Sequence, residues 1–304
     1  MKRSKMSHYK KLGIKYLLLA IPFMLFFFAF SYVPLFGWGY AFFDYEVGHS
    51  FSNSEFVGFE NFARLFKEGN EILRVLRNTL VMSALHILAT PAPMLLAIMF
   101  NEIGHKKFKK FAQTVTTLPN FISWIVIFGF AFAIFSSSGS YYNFRDLLGF
   151  PAPKSTILGD VDNTWLFQFI LSVWKSIGWG AIIYLAAITG IDQELYDAAR
   201  VDGAGRFRLI IHITIPGLIS TYLVMLLLSI SNLLNSGFDQ YYVFYNSLVS
   251  SKIEVLDYYI YKMGIILSEY SYAVVLGMLK TLIGIALLFT ANKFSKKLRG
   301  DTLI

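Results

Sequence analysis

Apolar residues along this chain gather into six long runs rather than alternating with polar ones. The runs extend from Tyr16 to Phe43, Asn78 to Asn101, Phe111 to Phe144, Asn163 to Ile191, Leu209 to Phe238 and Ser271 to Asn292. Lys175 interrupts the fourth and Lys280 the last. A membrane-spanning helix needs about 20 predominantly apolar residues, so each run holds one helix and none comfortably holds two. The pattern predicts an all-α membrane protein with six transmembrane helices. The first run is expected to be a span rather than a cleaved signal peptide, because its apolar stretch is long and no small-residue cleavage site follows.

Charge adds an orientation. Lys and Arg number 17 in residues 1–15, 101–110, 192–208 and 293–304, against 8 in the connections on the other side; Asp and Glu divide 6 against 13. Positive residues concentrate on the cytoplasmic side of membrane proteins, which predicts that both termini are cytoplasmic. The net charge of +8 is then mostly topology, and nucleic acid is not an expected partner. With 56% hydrophobic and 15% charged residues in 304, disorder is excluded, and the absence of cysteine removes disulfides and thiolate chemistry. No domain-separating linker or repeat of 20–50 residues is visible. The chain therefore reads as one transmembrane domain, 1–304: a cytoplasmic segment 1–15, the six-span region 16–292 and a basic tail 293–304.

The connection between the fourth and fifth runs, residues 192–216, reads as helix, break, helix. Asp192 is placed to cap a helix with Glu194 in its first turn, Ala198 and Ala199 favour helix, Gly203 and Gly205 permit a sharp turn, and Pro216 restarts the chain in the membrane. Its spacing is distinctive. Asp197-Ala198-Ala199, three residues, Gly203, nine residues, then Ile213-x-Ile215-Pro216 resembles the coupling motif of binding-protein-dependent ABC importer permeases, with Asp202-Gly203-Ala204 matching its frequent D-G-A. Asp197 stands where that family usually has Glu, and Ile215 where it usually has Leu. Further segments, Phe56 to Phe62, Leu65-Phe66, Asn78-Thr79, Asn235 to Gln240, Tyr245-Asn246, Tyr258 to Tyr261, Ser271-Tyr272 and Lys296 to Leu298, resemble the carbohydrate-uptake permeases and their LplB-like oligosaccharide subgroup.

The resemblance implies a type I importer permease fold in a bacterial cell membrane. It also implies a second homologous permease forming a heterodimer, two ATPase subunits that bind ATP and Mg, and an extracellular substrate-binding protein. Asp197, Ala198, Ala199, Asp202, Gly203, Ala204, Ile213 and Pro216 are the ATPase-coupling residues it implies. The chain has no G-x-x-x-x-G-K-[ST] phosphate loop, so no nucleotide, metal or other cofactor is expected in it, and it is not expected to be an enzyme.

Polar residues within the runs are candidates for a substrate pathway. Gln168, Ser172, Lys175 and Trp179 share one helical face; Lys175 either faces the pathway or snorkels to headgroups. Ser229, Asn232 and Ser236 form a second stripe, with Asn235 beside it. It suits either sugar hydroxyls or interhelical hydrogen bonds. Phe238, Asp239 and Tyr242 follow. Lys280 shares an arc with Gly277 and Gly284, which reads as a packing face on which the lysine needs a carboxylate, carbonyl or water. His86 reads as a neutral packing residue. The runs hold no well-buried carboxylate, which disfavours the alternative of a secondary transporter or channel for a polar solute.

Overall fold

A computed structural model describes residues 2–46, 48–151, 155–235 and 237–299, without the side chains of 2–9, 11 and 291–299. Ser236 of the second polar stripe and the side chains of the basic tail lie outside the described residues. Among the described residues, six helical stretches are long and apolar enough to cross a membrane: Leu12–Phe42, Gly69–Glu102, Trp124–Leu147, Thr164–Thr189, Arg206–Ser231 and Tyr270–Thr290. The described chain falls into two compact units, 1–68 with 260–279, and 69–259 with 280–304.

The first unit opens with α1 (Lys2–Ser31), which gives way to a tight 3₁₀ stretch, Val33–Phe42, where Pro34 has no N–H to continue the α-helical ladder. A two-residue hairpin, β1 (Phe43–Asp44) against β2 (Glu55–Phe56), leads into α2 (Glu60–Lys67). Arg64 of α2 reaches Glu68 at 2.7 Å and Glu269 at 2.6 Å, and its guanidinium lies 4.1 Å from the centroid of the Tyr272 ring. Partial burial works against the Arg64 charge, but hydrogen bonding to Glu269 and Glu68 outweighs it and raises the pKa further. Tyr45 N–H donates to Ser271 Oγ, tying the hairpin to the same residues.

The second unit contains α3 (Gly69–Leu88), α4 (Pro91–Glu102), α5 (Lys106–Thr117), α6 (Trp124–Phe135), α7 (Ser140–Leu147), α8 (Thr164–Thr189), α9 (Gln193–Val201), α10 (Arg206–Leu209), α11 (Ile215–Ser231), α12 (Phe238–Phe244), α13 (Ser250–Ile253) and α14 (Leu256–Tyr261). The sixth span, α15 (Tyr270–Arg299), contributes its first ten residues to the first unit and the rest to the second. Two runs are interrupted. Pro91 and Pro93 restart the second span as α4, and Pro119 with the N-cap Ser123 splits the third run into α5 and α6.

Small residues set the packing around α8. A Cβ on Gly178 would lie 2.0 Å from the Thr116 carbonyl oxygen, and one on Gly180 would lie 3.0 Å from Pro93 Cβ. This is the close approach on which helix association in lipid depends. Ala97, Ile98, Phe100, Ala181, Tyr184 and Leu218 form the adjoining core, while much of the remaining apolar surface is exposed, as it is on proteins whose solvent is lipid.

A polar clamp closes the Thr164 end of α8. Arg74 meets Glu254, which is almost wholly buried, at 2.5 Å; Asn78 donates to the carbonyls of Ser251 and Glu254; Thr79 Oγ1 accepts from Leu256 N–H; and Trp165 Nε1 donates to the Lys252 carbonyl. Every charge in this clamp has a partner, which is what makes its burial tolerable.

Candidate functional site

Two sites emerge in the second unit, one at each end of α11. The first is α9 and the turn after it. Asp192 accepts from Glu194 N–H at 3.0 Å and so starts the helix. At the other end, Gly203 N–H donates to the Arg200 carbonyl and Ala204 N–H to the Ala199 carbonyl, with Gly203 at φ +76°. These two bonds make a Schellman motif, which requires a left-handed residue just past the helix and therefore favours glycine. Asp197 is exposed and bound to Arg200 at 2.7 Å, one helical turn on. Ala198 and Asp202 are exposed and Ala199, Ala204 and Ile213 half-buried, while Pro216 occupies the second position of α11. Three apolar side chains that sequence reasoning passed over, Leu195, Val201 and Phe207, also stand exposed here, the last two by more than 80%. They stand on the same exposed segment as the motif residues, and a pattern fitted only to the motif positions does not register them.

The second site is an open cavity of about 420 Å³ lined by α3, α4, α8 and α11. Of the polar residues expected in a pathway, it brings together Ser172, Trp179, Ser229 and Asn232. It adds His86, Thr90, Ser176 and Tyr184. Ser176 donates to the Ser172 carbonyl, Ser229 to the Met225 carbonyl and Asn232 to the Leu228 carbonyl, each four residues back. The two serine donors are thus spent within their own helices, whereas Asn232 keeps a second amide hydrogen and its Oδ1 accepts from Asn235 Nδ2 at 3.4 Å. His86 Nε2 and Tyr184 Oη are buried and make no hydrogen bond among the described residues. His86 thus walls a cavity where packing was expected. The signal for Ser176 was available, since it lies four residues after Ser172.

The other expected pathway residues are elsewhere. Gln168 is buried, and Gln240 Nε2 donates to both its carbonyl and its Oε1 at 2.8 Å, a lock between α8 and α12. Lys175 donates to the carbonyls of Pro119, Asn120 and Ile122 at 3.2, 2.9 and 2.5 Å. It neither lines the cavity nor stands free, because the turn between α5 and α6 gathers these three carbonyls around its ammonium. Asn235 and Asp239 are exposed, and Phe238 stacks on Tyr242, itself half-exposed. Lys280 has found the carboxylate it needs, Asp257 of α14, at 2.5 Å. Among the described residues no group of His, Asp or Glu could hold a metal ion.

The loop spacing, the six spans and the cavity now meet an independent observation. Residues 89–300 match the family described as binding-protein-dependent transport system inner membrane component. The chain belongs to that family. As an inner membrane component it is a multi-pass cell-membrane protein and a non-enzymatic, translocating subunit of an ATP-driven importer. Similar curated proteins include Protein LplB of Bacillus subtilis (strain 168), 41% identical over 94% of this chain and 90% of that one. The polygalacturonan/rhamnogalacturonan transport system permease protein YteP of the same organism is 38% identical over 93% and 88%. Among solved structures, a chain of the bacterial alginate ABC transporter, crystallised in complex with an alginate pentasaccharide-bound periplasmic protein, superposes with a TM-score of 0.85. It is 30% identical, over 97% of this permease and 99% of that chain.

Proposed function

We propose that this permease is one half of the membrane pathway of an oligosaccharide importer, paired with a second, homologous permease. Two ATPase subunits lie on the cytoplasmic side, where both termini also lie, with the α9 loop docked in a groove on one of them, and an extracellular binding protein delivers the sugar. The observation that carries the coupling assignment is the exposed α9, fixed by the Asp192 cap and the Gly203 Schellman turn and edged by bare Leu195, Val201 and Phe207. A short helix capped at both ends transmits a push that a flexible loop would absorb. Asp197, Ala198, Ala199, Asp202, Gly203, Ala204, Ile213 and Pro216 carry this docking role.

The cavity supports a sugar pathway. Ser172, Ser176, Ser229 and Asn232 supply hydroxyl and amide groups and Trp179 an aromatic face, with the rings of Tyr184 and His86 completing the wall; this mixture suits a polyhydroxylated ring that must bind weakly enough to leave. Neither intramembrane lysine offers a free ammonium to an acidic sugar, since Lys175 is taken by three carbonyls and Lys280 by Asp257. The substrate class is supported by the names of the relatives, which concern polygalacturonan, rhamnogalacturonan and alginate.

The test is uptake into proteoliposomes containing the permease, its partner permease, ATPase and binding protein, with a panel of neutral and uronic oligosaccharides. At least one is expected to accumulate only when ATP is enclosed with the ATPase. Accumulation driven by a proton or sodium gradient without ATP would instead identify a carrier.

A further inference from the structure

Tyr196 is the buried side chain of an otherwise exposed helix. It is 8% exposed, and its hydroxyl is hydrogen-bonded at 3.0 Å to Thr214 Oγ1, itself 2% exposed. Thr214 closes an unusual turn. Residues Ile210–Thr214 form a π-helix, with Ile215 N–H donating to the Ile210 carbonyl five residues back. Pro216 has no N–H for the His212 carbonyl, and a π turn just before it relieves that mismatch. A second contact lies alongside. Gly217 sits so close to Ile191, at the start of the α9 loop, that a Cβ would come within 2.7 Å of Ile191 Cδ1.

α11 grows directly from this foot and runs for 17 residues, about 25 Å. Leu218, one turn up, is wholly buried in the core with Ala181 and Tyr184. Farther along, Met225, Leu228 and Ser229 wall the cavity, and Asn232 follows at the end of the helix. One hydrogen bond therefore joins the exposed coupling helix to the base of a rod whose far end touches the pathway.

We propose that Tyr196 and Thr214 are positioning residues for coupling. They hold α9 to the foot of α11, so that displacement of α9 by a partner subunit moves the cavity wall at Ser229 and Asn232. This rests on the reading of α9 as the ATPase-docking element. Tyr196→Phe keeps the buried ring and removes only the hydroxyl, leaving Thr214 without this partner; Thr214→Val does the reverse; Thr214→Ser keeps the bond.

The chain has no cysteine, so a single fluorescent label on Val224→Cys, a half-exposed position on α11 outside the cavity wall, reports its movement. The assembled complex with its binding protein is trapped with ATP and vanadate. In the Val224→Cys background, Tyr196→Phe and Thr214→Val are each expected to cut the spectral response at least fivefold at unchanged yield of complex. The double variant should be no worse than either single one, and Thr214→Ser should respond fully. A full response from Tyr196→Phe, or from Thr214→Val should the first not assemble, overturns the strut. Gly203→Val separates the two ideas: if it abolishes the response while Tyr196→Phe does not, only the strut fails. If Gly203→Val itself responds fully, the docking reading fails and the strut with it.

Discussion

A lysine inside a bilayer has to find oxygen, and the two in this chain find it differently. Lys280 meets a carboxylate on a neighbouring helix, Asp257, whereas Lys175 gathers the carbonyls of Pro119, Asn120 and Ile122. The need for a partner at Lys280 is legible from its place in an apolar run; the carbonyls at Lys175 are not, because they exist only once Pro119 has broken the third run. Replacing Lys175 with Met removes this donor from all three, the Pro119 carbonyl keeping the Ile122 N–H. At about 2 kcal/mol for a charge-assisted bond, the thermal midpoint of the detergent-solubilised protein should fall by roughly 5 °C. The KM for transported sugar should stay within twofold; a raised KM at unchanged stability would place Lys175 in the pathway instead. His86 marks the opposite case. A lone imidazole in an apolar run carries no sign of whether it faces protein or a cavity, and only the fold sets its ring in the wall shared with Ser172 and Asn232.

Among the elements, the coupling loop was the most legible. Its cap, alanines and glycine are local signals, and each acts within a few residues: Asp192 on Glu194, Gly203 on Arg200. Span number was legible too, since length and hydropathy suffice. Breaks within spans were less so, because a run of apolar residues conceals the restart of α4 at Pro91 and the turn between α5 and α6. Helix contacts were legible least. Gly178 and Gly180 look alike in sequence, yet a methyl on the first would strike the Thr116 backbone at 2.0 Å and one on the second the Pro93 ring at 3.0 Å. Gly178→Ala should therefore cost about 3 kcal/mol or more and sharply reduce folded protein, measured by monodisperse yield in detergent, whereas Gly180→Ala should cost about 1 kcal/mol. Equal yields would mean that α5 and α8 do not approach so closely.

For the whole molecule, the family identification makes the chain a translocating subunit whose energy conversion a separate subunit supplies, and the proposal assigns α9 to coupling and the cavity to the pathway. Coexpression tests the proposed pairing: the permease should copurify with a related permease in equal amounts, and a self-sufficient homodimer with full transport would contradict the heterodimer. The central claim is that α9, held by its Gly203 turn, passes the state of an ATPase to the pathway. Gly203 has open space around it, so a β-branched side chain there meets no clash and acts only through its left-handed backbone, at about 1–2 kcal/mol. The most direct measurement is ATP hydrolysis by the reconstituted complex with and without sugar-loaded binding protein, comparing wild type with Gly203→Val. The account expects the variant to insert and assemble but to lose at least tenfold of the stimulation; stimulation equal to wild type would remove this loop from the mechanism.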